Sequence, residues 1–142
     1  MKNIVLFLCT GNYYRSKFAE IYFNFLAKKY DKNWLAISRG FYLENPENVG
    51  WISPLALQKL SELGANVSGG NLPQMTKNED MENARKIIAL NETEHRPFIK
   101  KHFPEWENRL TYWHIFDKQD VSSEISLREL QKNIEGLISD LS

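Results

Sequence analysis

Apolar residues run without interruption from position 4 to position 8, Ile-Val-Leu-Phe-Leu, with no polar residue alternating among them. A short unbroken run of strand formers predicts a strand buried on both faces, as in a parallel sheet. From Ser16 the period changes. Phe18, Ile21, Tyr22, Phe25 and Leu26 recur at three- and four-residue spacing, with Lys17, Glu20, Asn24 and Lys28 on the other side. This pattern predicts an amphipathic helix with Lys17 on its solvated face. A second strand is predicted at 34–38, followed by a breaker-rich loop at 40–50.

Ser53 and Pro54 suit the N-cap and first position of a helix that Gly64 ends, with Leu57, Leu60 and Leu63 facing the core. Thr76 and Glu79 form a candidate capping box for a short helix through Ala84. A third strand at 86–90, a helix at 93–102 interrupted near Pro97, and a fourth strand at 109–115 follow. A long helix from Ser123 carries the stripe Leu127, Leu130, Ile134, Leu137 and Leu141. Strands alternating with helices predict an α/β domain with a parallel sheet and right-handed crossovers. The length, 142 residues, suits one domain over 1–142.

Composition narrows the partners. Eighteen basic and eighteen acidic side chains balance to zero, without the basic excess that a phosphate backbone requires, so no nucleic acid is expected. No apolar stretch approaches the roughly 20 residues of a membrane span, so no membrane partner is expected either. Cys9 is the single cysteine and cannot form an intramolecular disulfide, which suits a reducing, cytoplasmic location. His95, His102 and His114 have no metal-ligand spacing with Cys9, and each reads as a packed or surface histidine. No metal and no cofactor are expected.

The chemistry concentrates after the first strand, in Cys9-Thr10-Gly11-Asn12-Tyr13-Tyr14-Arg15-Ser16. Five residues between cysteine and arginine let the chain curl with its N–H groups inward, while the next helix contributes its own free N–H groups and positive dipole end. Such a cradle suits a tetrahedral dianion. Arg15 closes it with a planar fork of donors, and Gly11 is expected to supply the permissive residue of the curl. The same surroundings favour a Cys9 thiolate, a nucleophile to which Ser16 can donate its hydroxyl while Asn12 braces the curl. The bare spacing also fits a small buried cysteine and a surface arginine. Its place at a strand-to-helix switch, with a glycine and a trailing serine, favours the site.

The segment VLFLCTGNYYRSKFAE, with its C-x5-R-S loop and trailing Ala19-Glu20, resembles the opening signature of the low-molecular-weight protein tyrosine phosphatases. Weaker similarity continues through Ser38-Arg39-Gly40, Ser53-Pro54, IIALNETEH and YWHIFDKQD. The resemblance implies a four-stranded parallel sheet with helices on both faces and a metal-free, cysteine-dependent phosphatase. Cys9, Arg15 and Asp117 would be catalytic. Thr10, Gly11, Asn12, Tyr13, Tyr14 and Ser16 would bind phosphate. Asp117, aligned with the family's D-P acid, would protonate the leaving oxygen, with Asp120 as its understudy, and Ser38 would brace Asn12.

Departures from the pattern are informative. Tyr14 stands where some members have a second cysteine, so no vicinal disulfide shields Cys9, and the cysteine relay of related arsenate reductases is excluded. Lys118 replaces the family's proline, and Gln119 and Asp120 follow where phosphotyrosine-selective members have aromatics. Tyr13, Phe41, Tyr42 and Trp51 are candidate replacement walls, and Tyr13 lends no support to phosphoarginine specificity. The expected partner is a phosphotyrosine protein or a small phosphomonoester. A phosphate-binding module with weak or no turnover is the alternative from a different class, and Arg15 with Ser16 argues against a sugar-transport phosphocarrier.

Overall fold

The computed structural model describes residues 1–118 and 120–141; Gln119 and Ser142 lie outside the described residues. Its elements run β1 (Asn3–Cys9), α1 (Arg15–Lys29), β2 (Trp34–Gly40), α2 (Pro54–Glu62), α3 (Asn78–Asn83) and β3 (Lys86–Ala89). Then come α4 (Glu92–His102), a 3-10 turn (Pro104–Trp106), β4 (Thr111–Tyr112) and α5 (Ser123–Asp140). The four strands form one parallel sheet in the order β2-β1-β3-β4.

The unbroken apolar run lies at the centre of this sheet because both of its faces are covered. Val5, Phe7 and Cys9 pack among Phe18, Phe23, Leu60, Leu130 and Ile134 of α1, α2 and α5. Leu6 and Leu8 face the other way, toward Met81, Ile99 and Phe103 beside α3 and α4. Each such side chain contributes about 1.5–3 kcal/mol when fully buried, a gross gain that is opposed by the conformational entropy lost in ordering the strand. With β2 on one side and β3 on the other, the order in which the parallel strands are added reverses at β1. A ligand crevice is expected outside the carboxyl end of β1, just past Cys9.

Several local expectations are corrected. Helix α4 is continuous through Pro97: it is capped by the Asn91 side chain, which accepts from Glu94 N, and Pro97, inside the helix, forfeits one backbone hydrogen bond without ending it. The fourth strand shrinks to Thr111–Tyr112, because the residues after it bond to the end of β3 individually, Trp113 N to Ala89 O and Ile115 N to Leu90 O. The expected box of Thr76 and Glu79 does not form; Thr76 donates to Gly40 O, and Asp80 accepts from Lys77 N. On α2, Leu57 is exposed while Ala56 and Leu60 fill the core. On α5, Ile138 is buried and Leu137 only partly so.

Lys17 is the largest correction on α1. It is buried, its Nζ donating to Asn71 O at 2.6 Å, which ties the 68–74 loop to the start of the helix. Burial holds its pKa below the usual lysine value, opposed by Glu20. Gly40, at the end of β2, is required for a different reason. A Cβ there would lie 2.8 Å from Thr10 O and 3.0 Å from Asn12 N, both backbone atoms. Gly40→Ala is therefore expected to cost about 1–3 kcal/mol, as overpacking does, read as a lowered urea midpoint with unchanged slope. An unchanged midpoint would mean that β2 and the loop after β1 need not approach so closely.

Candidate active site

The loop between β1 and α1 is curled by Asn12, not by Gly11. Asn12 has φ +49°, whereas Gly11 has no left-handed torsion. A non-glycine residue in this region costs about 1–2 kcal/mol, and here the side chain offsets that cost. Its Nδ2 donates to Ser16 Oγ and Ser38 Oγ, both at 2.9 Å, and its Oδ1 accepts from Gln74 N at 2.9 Å. Ser38 in turn donates to Glu20 at 2.6 Å. Asn12, Ser16 and Ser38 are all buried, so strand, helix and 68–74 loop meet at one amide.

Around this brace, the N–H groups of Gly11, Asn12, Tyr13 and Tyr14 donate to no protein acceptor among the described residues. Helix α1 begins at once, and its N-cap, Tyr14, makes no side-chain capping bond. Unpaired loop amides and an uncapped helix start form an anion cradle. Other contacts keep it rigid. Thr10 O accepts from Phe41 N and Tyr42 N, and Tyr13 O accepts from Ser53 N. The Tyr13 hydroxyl donates to Val49 O at 2.8 Å, and the Tyr14 hydroxyl lies 2.6 Å from Ser126 Oγ on α5. Burial raises the Tyr14 pKa, so this hydroxyl keeps its proton.

Cys9 Sγ lies 2.9 Å from Ser16 Oγ at the base of the cradle. Because Asn12 already donates into that oxygen, the serine hydrogen is free to point at a sulfur that has lost its own proton. Arg15, 2% exposed, closes the loop. Its Nη1 donates to Ile115 O at 2.9 Å, and its Nη2 lies 3.7 Å from Asp117 Oδ2. Asp117 Oδ1 also accepts from Lys118 N. Cys9, Arg15, Asp117, Lys118 and Asp120 line one cleft of about 420 Å³; Gln119 lies outside the described residues. Tyr13, Tyr42 and Phe98 supply aromatic walls to that cleft. Of the other expected aromatics, Phe41 is buried behind it, stacked on Phe98 at 5.2 Å, and Trp51 sits by Lys17 and Gly70 instead.

Sequence reasoning missed Glu94. Its carboxylate pairs with Arg15 in bidentate fashion, Oε1 with Nη1 at 3.1 Å and Oε2 with Nη2 at 2.6 Å, and it accepts from the Thr10 hydroxyl. His95 Nε2 lies 3.1 Å from both Glu94 Oε2 and Thr10 Oγ1. Burial opposes the Glu94 charge, but the bonds from His95, Arg15 and Thr10 and the arginine's charge win, holding the carboxyl well below its ordinary range. Burial, with Arg15 nearby, lowers the His95 pKa against the pull of Glu94. The available signal was positional: Glu94 and His95 stand three and four residues after Asn91, in the first turn of a helix at the carboxyl edge of the sheet where ligands gather.

The sequence matches the family described as low molecular weight phosphotyrosine protein phosphatase over residues 4–141, and the chain belongs to that family. No curated protein matches it. Its fold is similar to that of the low molecular weight protein tyrosine phosphatase from T. tengcongensis, at 24% identity and TM-score 0.77, over 97% of this chain and 96% of that one. Vibrio vulnificus Wzb in complex with benzylphosphonate aligns at 18% identity and TM-score 0.80, over 99% of this chain and all of that one, 100%. The YwlE arginine phosphatase, solved with a phosphorylated active site serine, aligns at 20% identity and TM-score 0.71, over 95% and 90% of the two chains; YwlE is a Bacillus subtilis protein. Among the described residues no helix is long and apolar enough to cross a membrane.

Two outcomes follow from this geometry. Asn12→Ala loses three hydrogen bonds and keeps the left-handed strain, so it is expected to cost about 2–4 kcal/mol, whereas Asn12→Gly recovers the strain part. Equal urea midpoints for the two variants would contradict the strain argument. Because the Glu94 carboxyl is held below its unfolded value of 4.5, its charged form stabilises the fold above that pH, and the contribution is lost as the pH falls toward the folded value. Acid unfolding should therefore be less steep in Glu94→Gln than in the wild type, and parallel acid limbs would count against it.

Proposed function

We propose that the chain is a cysteine-dependent phosphomonoesterase, acting on phosphotyrosine in proteins through a phosphocysteine intermediate. The observation that supports this most is Cys9 Sγ beside Ser16 Oγ, at the base of a loop of unpaired N–H groups closed by Arg15. In the first step the thiolate attacks phosphorus, the S–P bond forms, and the P–O bond to the leaving group breaks. Asp117, in its acid form, gives its proton to the leaving oxygen. The loop amides and Arg15 carry the charge on the equatorial oxygens in both transition states. In the second step the Asp117 carboxylate takes a proton from water, which attacks phosphorus and releases phosphate and the Cys9 thiolate. The Ser16 hydroxyl stabilises that thiolate each time it is free. Tyr13, Tyr42 and Phe98 offer flat surfaces to a phenyl ring.

One observation favours a second reading of the substrate. Glu44, Glu47, Glu94 and Asp120 line the same cleft, which suits a phosphoryl group borne next to a cation. Phosphoarginine is such a group, and the YwlE neighbour is named an arginine phosphatase.

Steady-state assays without added metal on an aryl phosphate, a phosphotyrosine peptide and a phosphoarginine peptide separate these readings. Cys9→Ser is expected to abolish turnover of every substrate. Arg15→Lys keeps the charge but loses the fork, and should lower kcat/KM by about 10²–10³-fold. Asp117→Ala should cost about 10²–10⁴-fold on the phosphotyrosine peptide and far less on an aryl phosphate with a good leaving group. Greater loss in Asp120→Ala would transfer the acid role. Phosphate binding without turnover of any substrate would replace the enzyme with a binding module.

A further inference from the structure

Arg15 directs its donors two ways. Nη1 is used up by Ile115 O and Glu94 Oε1, and one Nη2 hydrogen by Glu94 Oε2. Glu94 thus grips the guanidinium end-on. Nε–H and the second Nη2 hydrogen, a parallel pair, have no hydrogen-bond acceptor among the described protein residues. That pair matches two oxygens of a tetrahedral anion.

Glu94 is itself held as an anion. Besides the two arginine bonds it receives the Thr10 hydroxyl, and His95 Nε2 faces it. Asn91 N donates to His95 Nδ1 at 3.0 Å, so the single proton of a neutral imidazole sits on Nε2 and points toward Glu94 and Thr10. With these donors around it the carboxylate stays charged, yet it also lines the cleft beside Cys9. A fixed negative charge in the wall of a dianion site opposes the ligand at short range. Arg15, whose charge it neutralises, cannot fully compensate.

We infer that Glu94 determines how tightly the loop holds phosphate: it aligns Arg15 for side-on capture, and its charge weakens retention of free tetrahedral dianions, so that the product leaves. The inference rests on the phosphatase reading for its consequence in turnover, but the anion affinity is measurable without turnover. Sulfate is the probe, because it remains a dianion across the working pH range. By titration calorimetry, Glu94→Gln and Glu94→Asn should each bind sulfate about tenfold more tightly than the wild type. Glu94→Asp, which keeps the charge, should stay within about threefold of wild type. A purely structural role would weaken sulfate binding in all three.

In the kinetic arm, inorganic phosphate should inhibit aryl phosphate hydrolysis about tenfold more strongly in Glu94→Gln. Unchanged or weaker sulfate binding in both neutral variants would overturn the inference. If the wild type hydrolyses nothing while the neutral variants still gain sulfate affinity, the brake on anion binding stands and the phosphatase reading falls.

Discussion

The side-chain amide of Asn12 is the interaction on which the site depends. A loop that turns its N–H groups toward an anion leaves them without protein partners, and it must pass through a left-handed residue to do so. Neither condition is favourable alone. The Asn12 amide satisfies Ser16, Ser38 and Gln74 at once, and three bonds of about 0.5–1.5 kcal/mol each outweigh a left-handed cost of about 1–2 kcal/mol. Burial removes water as a competing partner. The brace also links the loop to Glu20 of α1 through Ser38, so the surroundings of Cys9 are set by groups on β2, α1 and the 68–74 loop together.

Electrostatics divide the site into a donor side and an acidic side. Cys9 Sγ touches the Ser16 hydroxyl at the foot of a loop whose N–H groups are unpaired among the described residues and which runs straight into a helix start. Opposite them Arg15 is shared among Glu94, the Ile115 carbonyl and, at longer range, Asp117. An arginine so divided is rigid, since its planar fork fits few arrangements, but its charge is largely neutralised locally. Catalysis by such a cleft relies on preorganised dipoles as much as on net charge.

The sheet and the loop after its first strand were legible because their signals are local. An unbroken apolar run means burial on both faces, and C-x5-R-S at its carboxyl end means a curl into a helix start. The family resemblance rests on those same residues, and the match over residues 4–141 agrees with it. What was not legible depended on partners distant in sequence. Lys17 reads as solvated until Asn71 O and Trp51 are seen to cover it. Gly11 looks like the permissive residue until Ser38 and Gln74 make Asn12 cheaper to strain. Glu94 belongs to no spacing with Cys9 or Arg15 in the sequence, and only the crossover that brings α4 beside the loop turns it toward Arg15. The fourth strand was too long in the pattern because Trp113 and Ile115 bond singly to Ala89 and Leu90, outside the regular ladder, while their side chains pack with the core.

If the braced loop presents Cys9 as the nucleophile, the intermediate is a phosphocysteine. Rapid acid quench of the Asp117→Ala protein during turnover of an activated aryl phosphate, followed by peptide mass spectrometry, tests it directly. Slowing the second step lets the intermediate accumulate, so a phosphoryl adduct on the peptide carrying Cys9, absent from Cys9→Ser, is the predicted result. Turnover with no adduct on Cys9, or with an adduct on another residue, would contradict it.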